Sequence, residues 1–176
     1  RAGGLDLGDA EVAELTDHTE GWSAGLHLAA VSAKACRAGA KAGGFRGDDQ
    51  FLVDYLHSEL LSQLPPDELR FLTRTSILER MAGPLCDAVV DWTASTTALA
   101  ALESSNLFVV ALDRNQHWYR YHRLFQELLR AELERREPEL VPQLLTRASE
   151  WCEANEQPES AIRYAQAAGD VDRVAR

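Results

Sequence analysis

A short β-type stretch interrupts an otherwise helical sequence and constrains the fold more than any other feature. Residues 107–112 (LFVVAL) and 117–121 (HWYRY) are rich in β-branched and aromatic residues, and the polar cluster DRNQ separates them. This pattern predicts a β-hairpin. Three or four helices precede it and the amphipathic helix 123–136 follows it, which is the element order of a winged-helix domain. We place that domain at residues 46–136.

The helices before the hairpin are predicted from apolar periodicity and from their start signals. The sequence predicts helices over 51–64, from Pro66 to about Leu78, over 83–92, and over 96–104 with Ser95 as the capping residue. Proline suits the first helical position, and acidic residues in the first turn favour the positive end of the helix dipole.

The two flanking regions are also predicted to be helical. Residues 9–18 and 19–37 precede the glycine-rich linker 38–47, which indicates a domain boundary there. Residues 137–176 predict two antiparallel helices joined by a turn at 156–158, which resemble one unit of a TPR-like α-solenoid. A single unit cannot bury both its faces, so we expect further repeats after residue 176.

Composition and charge restrict the function. The chain has 18 Lys and Arg against 28 Asp and Glu, a net charge of −10, and each of the three regions has an excess of acid. Nucleic-acid affinity comes largely from Lys and Arg, so DNA binding is not expected here. The three cysteines are isolated, which favours a reducing, cytoplasmic location and gives no metal-binding spacing. No signal segment or membrane span is expected, and a chain that begins at Arg1 is expected to be part of a longer one.

The sequence carries no complete active site. It lacks GxxxxGK[ST], GxGxxG, HExxH and CxxC patterns. His117 and His122 lie five residues apart but have no carboxylate at a supporting spacing, so we do not expect them to bind metal. The frequent acidic pairs lie at helix starts, where complementing the helix dipole explains them better than catalysis.

Several strings occur together in one order, and their set is distinctive. They are TEGWSAGLHLAA at 19–30, SILERMAGPLCDAV at 76–89, LESSNLFVVALD at 102–113, WYRYHRLFQELLR at 118–130, and ASEW with AIRYAQAAGD between 148 and 170. The chain resembles the MalT-like, LuxR-type family of large ATP-binding transcriptional regulators, within the STAND class of signal-transduction ATPases.

That resemblance implies a domain order and a nucleotide switch. Residues 1–45 would be the remnant of the helical lid domain, 46–136 the winged helix, and 137–176 the first helical repeat of the sensor region. A nucleotide-binding domain would precede them in the same chain, further repeats would follow, and DNA would be bound only by a separate C-terminal domain. The fragment itself would hold no cofactor and catalyse nothing, while the full-length parent would bind ATP and ADP.

The resemblance also implies which residues contact the nucleotide. Gly21, Trp22 and Ser23 match the turn that the lid domain places against the adenine side, although the family usually has Pro where Ser23 stands. His122 matches the winged-helix histidine that contacts the β-phosphate of ADP in the resting state. Imidazole can donate to an anion, and a helix start favours phosphate. The alternative is that His122 only caps the junction between hairpin and helix.

Three other functions remain to be weighed against this switch. The chain could be a scaffold or partner-binding module of another signalling protein, for instance a MalT-like region attached to a Ser/Thr protein kinase. It could be a DNA-binding winged helix, although the candidate recognition helix at 96–104 has no Lys or Arg. It could be an enzyme, although no residues have the spacing of a catalytic nucleophile and its general base.

Overall fold

A computed structural model describes Leu61, residues 64–104 and residues 109–170. Within these ranges the chain forms six α-helices, one short 3₁₀-helix and two β-strands. In chain order they are α1 Pro66–Thr75, α2 Gly83–Val90, α3 Ser95–Ser104, β1 Val109–Ala111, β2 Tyr119–Tyr121, α4 Arg123–Arg136, the 3₁₀-helix Pro138–Leu140, α5 Val141–Ala154 and α6 Pro158–Ala168. The predicted helices before residue 61 and the glycine-rich linker lie outside the described residues.

Helix α1 begins where the sequence predicted it and ends earlier. Pro66 opens the helix, and two acidic residues lie in its first turn. The prediction that it runs to about Leu78 is wrong, because the backbone N–H groups of Ser76 and Leu78 donate to carbonyls three residues earlier, at Thr73 and Thr75. The chain therefore tightens into turns after Thr75 and passes towards the sheet.

Helices α2 and α3 are joined by a tight connection. Helix α2 stops at Val90, two residues short of the prediction, because Asp91 adopts a left-handed conformation with φ of 56°. Ser95 is the first residue of α3 rather than its cap, and its buried Oγ has no hydrogen-bond partner among the described residues. The carboxylate of Asp87 accepts from the Ser95 N–H at 3.1 Å instead. A carboxylate from the preceding helix thus caps α3.

The predicted hairpin is present, and both its strands are shorter than expected. Strands β1 and β2 pair antiparallel, with Val109 opposite Tyr121 and Ala111 opposite Tyr119. Met81 forms a bridge on the other side of β2, where its N–H donates to the Tyr119 carbonyl at 2.7 Å and its carbonyl accepts from the Tyr119 N–H at 2.8 Å. The segment between α1 and α2 therefore adds a third line of pairing to the two-stranded sheet.

The helices after the hairpin match their predicted positions. Helix α4 spans the whole string RLFQELLRAELERR, and α5 and α6 form the expected helical pair. Helix α6 ends at Ala168 and is capped by Gly169, whose φ of 76° suits a residue without a side chain. The mainly α fold with a winged helix and one hairpin is therefore confirmed, whereas a repeating TPR-like solenoid stays a prediction.

Two compact units divide the chain, and the larger one holds most of the described residues. It contains residues 66–104, 109–121 and 129–170, while residues 122–128 belong to the other unit. Inside the larger unit α2 packs against α1, α3 and α5, α3 packs against β1, and α5 packs against α6. Its most completely buried large side chains are Tyr121, Phe71, Leu72, Leu78, Met81, Leu85, Leu99 and Leu129.

Candidate functional site

His122 is the predicted site residue that the structure describes. It lies between the last residue of β2 and the first residue of α4, and it is half-buried. Its carbonyl accepts from the Gln126 N–H at 2.9 Å, which is the bond that an N-cap residue makes. The backbone of His122 therefore caps α4, and the imidazole stands at the positive end of a 14-residue helix.

The first turn of α4 has no acidic residue that would neutralise the helix dipole. Arg123 lies in that turn, and its Nε donates to Glu127 Oε1 at 3.1 Å one turn further along. Both side chains are exposed, so the pair adds little stability. The charge at this helix start suits an anion.

A buried hydroxyl pair holds the strand that leads to His122. Tyr121 Oη and Thr75 Oγ1 lie 2.7 Å apart, and Thr75 Oγ1 also donates to the Phe71 carbonyl at 2.7 Å. Because threonine has a single hydroxyl proton, Tyr121 is the donor within the pair. Burial raises the pKa of Tyr121, so its proton is retained at every physiological pH. The end of β2 is thereby fastened to α1.

The other predicted contacts cannot be placed beside His122. Gly21, Trp22 and Ser23 lie outside the described residues. His117 belongs to the hairpin turn, where its backbone N–H donates to Asp113 Oδ1 at 2.9 Å and its side chain is exposed. In the part of the chain that the structure describes, no group of three His, Cys, Asp or Glu residues could hold a metal ion.

The helix in the position of a DNA-recognition helix has the wrong chemistry for DNA. The exposed residues of α3 are Thr96, Thr97, Ala100, Ala101 and Ser104. None carries a cation that could neutralise phosphate or read a guanine edge. Glu103, on the same helix, accepts from Gln116 Nε2 of the hairpin turn at 3.3 Å. Helix α3 therefore presents small, uncharged side chains.

Neither described cysteine is suited to nucleophilic chemistry. Burial raises the pKa of Cys86 to about 12, and burial also raises the pKa of Cys152. The thiolate is the reactive form of cysteine, so burial makes both thiols less nucleophilic.

Sequence reasoning missed the polar contacts that join distant elements. Arg74 donates from Nε and Nη2 to the two carboxylate oxygens of Glu137, at 3.0 and 2.6 Å. The guanidinium of Arg80 lies over the ring of Trp118, 4.9 Å from its centroid, and that tryptophan is half-buried. No local pattern predicts such pairs, because the partners lie on different elements.

Comparison with known proteins identifies the family. A family model described as the MalT winged helix domain matches residues 57–141. The chain is also 32% identical, over 170 residues, to the HTH-type transcriptional regulator MalT of Yersinia enterocolitica, covering 95% of this chain and 19% of that protein. Residues 57–141 belong to the MalT winged-helix family, and the chain is MalT-like over most of its length. MalT of Yersinia pestis is similar to the same extent.

A kinase carries a related region. The serine/threonine-protein kinase PknK of Mycobacterium tuberculosis H37Rv is 35% identical over 176 residues, which cover 98% of this MalT-like chain. The chain spans only 16% of PknK and 19% of the MalT proteins. These relatives are therefore large proteins, and the same region occurs in both transcriptional regulators and a kinase. Among the described residues no helix is long and apolar enough to cross a membrane.

Proposed function

We propose that this chain is the regulatory middle of an ATP-dependent transcriptional regulator, in which it couples the ADP or ATP state to inducer sensing and self-association. The observation that carries the proposal is the position of His122 at the start of α4, in a chain of the MalT-like family. The relatives named MalT are transcriptional regulators, which supports that setting.

The residues around His122 suit a phosphate. The imidazole can donate a hydrogen bond, and a helix start favours negative charge when its first turn carries no carboxylate. Bound nucleotide would supply that negative charge. The neighbouring Arg123 adds a cation, although its guanidinium also holds Glu127. A carboxylate at position 122 would repel a phosphate while still capping the helix.

The switch would work as a clamp around nucleotide held by a preceding domain of the same chain. Gly21, Trp22 and Ser23 would face the adenine side, and His122 would hold the phosphate side in the resting state. Inducer binding at the following helical repeats would favour the open state, in which the parent self-associates and a separate C-terminal domain binds DNA. Such a switch needs only a ligand with different affinities for two states. We place the parent in the cytoplasm, in keeping with its isolated cysteines.

Substitutions at His122 in the full-length parent test the clamp. His122→Ala should raise the inducer-free activity and weaken ADP binding by roughly ten-fold or more, since hydrogen bonds to charged groups contribute about 1.5–3 kcal/mol. His122→Asp should weaken ADP binding further and leave the melting temperature unchanged, because aspartate is a good N-cap residue. His117→Ala, on the exposed hairpin turn, is the control and should change neither.

Two outcomes at His122 would contradict the clamp. One is unchanged ADP affinity and unchanged inducer-free activity in His122→Ala. The other is weak ADP binding in His122→Ala that is restored in His122→Asp, because restoration by an acid would mean that only helix capping matters.

The second candidate function is a partner-binding scaffold attached to a protein kinase. The 35% identity to PknK favours it, since a kinase there carries this region. The reading frame of the parent separates the two candidates: a Walker loop before residue 1 supports the switch. A kinase domain without a Walker loop supports the scaffold.

A further inference from the structure

Three polar contacts fasten the helical pair α5–α6 to the winged-helix elements. The Glu79 backbone N–H donates to Tyr164 Oη at 3.1 Å, and the Glu79 carboxylate pairs with Arg163 Nη1 at 3.0 Å. Arg147 Nη1 of α5 donates to the Val89 carbonyl near the end of α2 at 3.1 Å. All three contacts therefore join the helical pair to the segment 79–90, two of them through its main chain and one through the Glu79 side chain.

Apolar packing accompanies these contacts. Helix α2 packs against α5, and each contributes side chains that are closed off from solvent, such as Cys86 and Val89 on α2 and Ala148 and Cys152 on α5. Tyr164 is only 7% exposed, so its hydroxyl accepts the Glu79 N–H where little water competes. Burial also raises the pKa of Tyr164 to about 12, which keeps that hydroxyl protonated.

The connection between α4 and α5 is held as well. Glu137, the residue after α4, accepts hydrogen bonds from Nε and Nη2 of Arg74. The 3₁₀-helix Pro138–Leu140 then leads directly into α5. A bidentate pair fixes orientation as well as distance. The junction therefore lacks the free, extended linker that a hinge between two independent domains would need.

Glu79 lies next to the segment that pairs with the sheet. Two residues further on, Met81 exchanges two backbone hydrogen bonds with Tyr119 of β2. One side of the segment 79–81 is thus held by α6, and the other side is held by β2. A displacement of α6 cannot leave this segment in place without breaking the bonds of Glu79.

We propose that α5 and α6 are an integral part of the winged-helix unit, with the segment Glu79–Met81 as the coupling, so that opening of the helical pair loosens β2. The cooperative unit then extends to Ala168, beyond the residue 141 at which the family model ends. A movement of the helical pair is passed to β2 and is not absorbed at the junction 137–140. This inference does not depend on nucleotide binding.

Native-state hydrogen exchange on the intact chain tests the unit. Leu145→Ala, a buried position in α5, should speed exchange by at least roughly 30-fold, because such truncations cost about 2–5 kcal/mol. The same factor should be seen in α5, α6, α2 and β2. Leu112→Ala is the matched control, since Leu112 is 43% exposed, and it should change none of these rates. Faster exchange confined to α5 and α6 would overturn the proposal.

A milder variant tests the coupling segment in a protein that stays folded. Tyr164→Phe removes only the acceptor of the Glu79 N–H, and one such bond is worth about 1 kcal/mol. We expect roughly five-fold faster exchange in α6 and at the amides of Met81 and Tyr119, by the same estimate. The control Arg130→Gln breaks an exposed pair on α4 and should leave both sites unchanged. Unaltered rates at Met81 and Tyr119 would refute the coupling, whatever the outcome of the nucleotide experiments.

Discussion

The close approach of α2 and α3 at Gly83 leads to a sharp stability prediction. A β-carbon added to Gly83 would overlap the hydroxyl oxygen of Thr96, and it would lie 2.9 Å from Thr96 Cβ and 3.0 Å from Thr96 Cα. Rotation of the Thr96 side chain can remove the first overlap. It cannot remove the other two, because Cα and Cβ move only with the backbone of α3.

The cost of Gly83→Ala follows from these distances. Overpacking of this kind costs about 1–3 kcal/mol. The more restricted unfolded chain of the alanine variant offsets about 0.4–1 kcal/mol of that. We therefore expect the free energy of unfolding to fall by about 1–2 kcal/mol, as measured by urea denaturation followed by circular dichroism.

A second substitution separates the steric cause from a general effect of alanine. Thr96→Gly removes the hydroxyl and Cβ, so Gly83→Ala should cost less in that background than in the native chain. Gly169→Ala is the contrast. It has open space around the added atom but a φ of 76°, so its cost of about 1–2 kcal/mol should be the same in both backgrounds. An equal cost of Gly83→Ala in the two backgrounds would refute the reasoning.

Two further predictions concern polar contacts of the larger unit. Thr75→Val should lower the free energy of unfolding by about 1–3 kcal/mol, because it removes the buried hydroxyl to which Tyr121 Oη is hydrogen-bonded. Adding Tyr121→Phe should recover part of that loss, and a double variant that loses the full sum of the single costs would argue against a direct bond. The Arg74 guanidinium holds the pKa of Glu137 below its usual value near 4.5, chiefly through their hydrogen bonds. The Arg74–Glu137 pair is therefore fully charged at neutral pH. Its contribution to the free energy of unfolding should decrease as the pH drops below about 4.5. Glu137→Gln should flatten the acid side of the stability curve, and an unchanged acid limb would contradict the assignment.

The sequence predicts the presence of helices more accurately than it predicts where they end. The apolar stripe of 123–136 predicted α4 at its observed bounds, because every turn of that helix repeats the same local signal. The end of α1 was mispredicted by three residues, since apolar residues continue to Leu78 while the backbone has already turned. The cap of α3 was also mispredicted. Ser95 has the right side chain for a cap, yet Asp87 from the neighbouring helix fills that role.

At the candidate site, too, the local sequence predicts the boundary of the helix but not the ligand. The sequence places His122 at the boundary between strand and helix, and the structure shows the capping bond of its carbonyl. The resemblance, not the periodicity, singles out its imidazole for phosphate. A local pattern can mark the end of a helix, but it does not say which ligand lies beyond that end.

By itself, the sequence determined the order of the described helices and the hairpin between them. These features depend on residues that are near neighbours along the chain, where the side-chain period and the turn residues act directly. Only the tertiary structure decided which distant residues meet, as Arg74 and Glu137 do across 63 positions and Glu79 and Tyr164 across 85. Those pairings depend on how whole helices pack, and that packing is set by the shape of the core rather than by any short stretch of sequence.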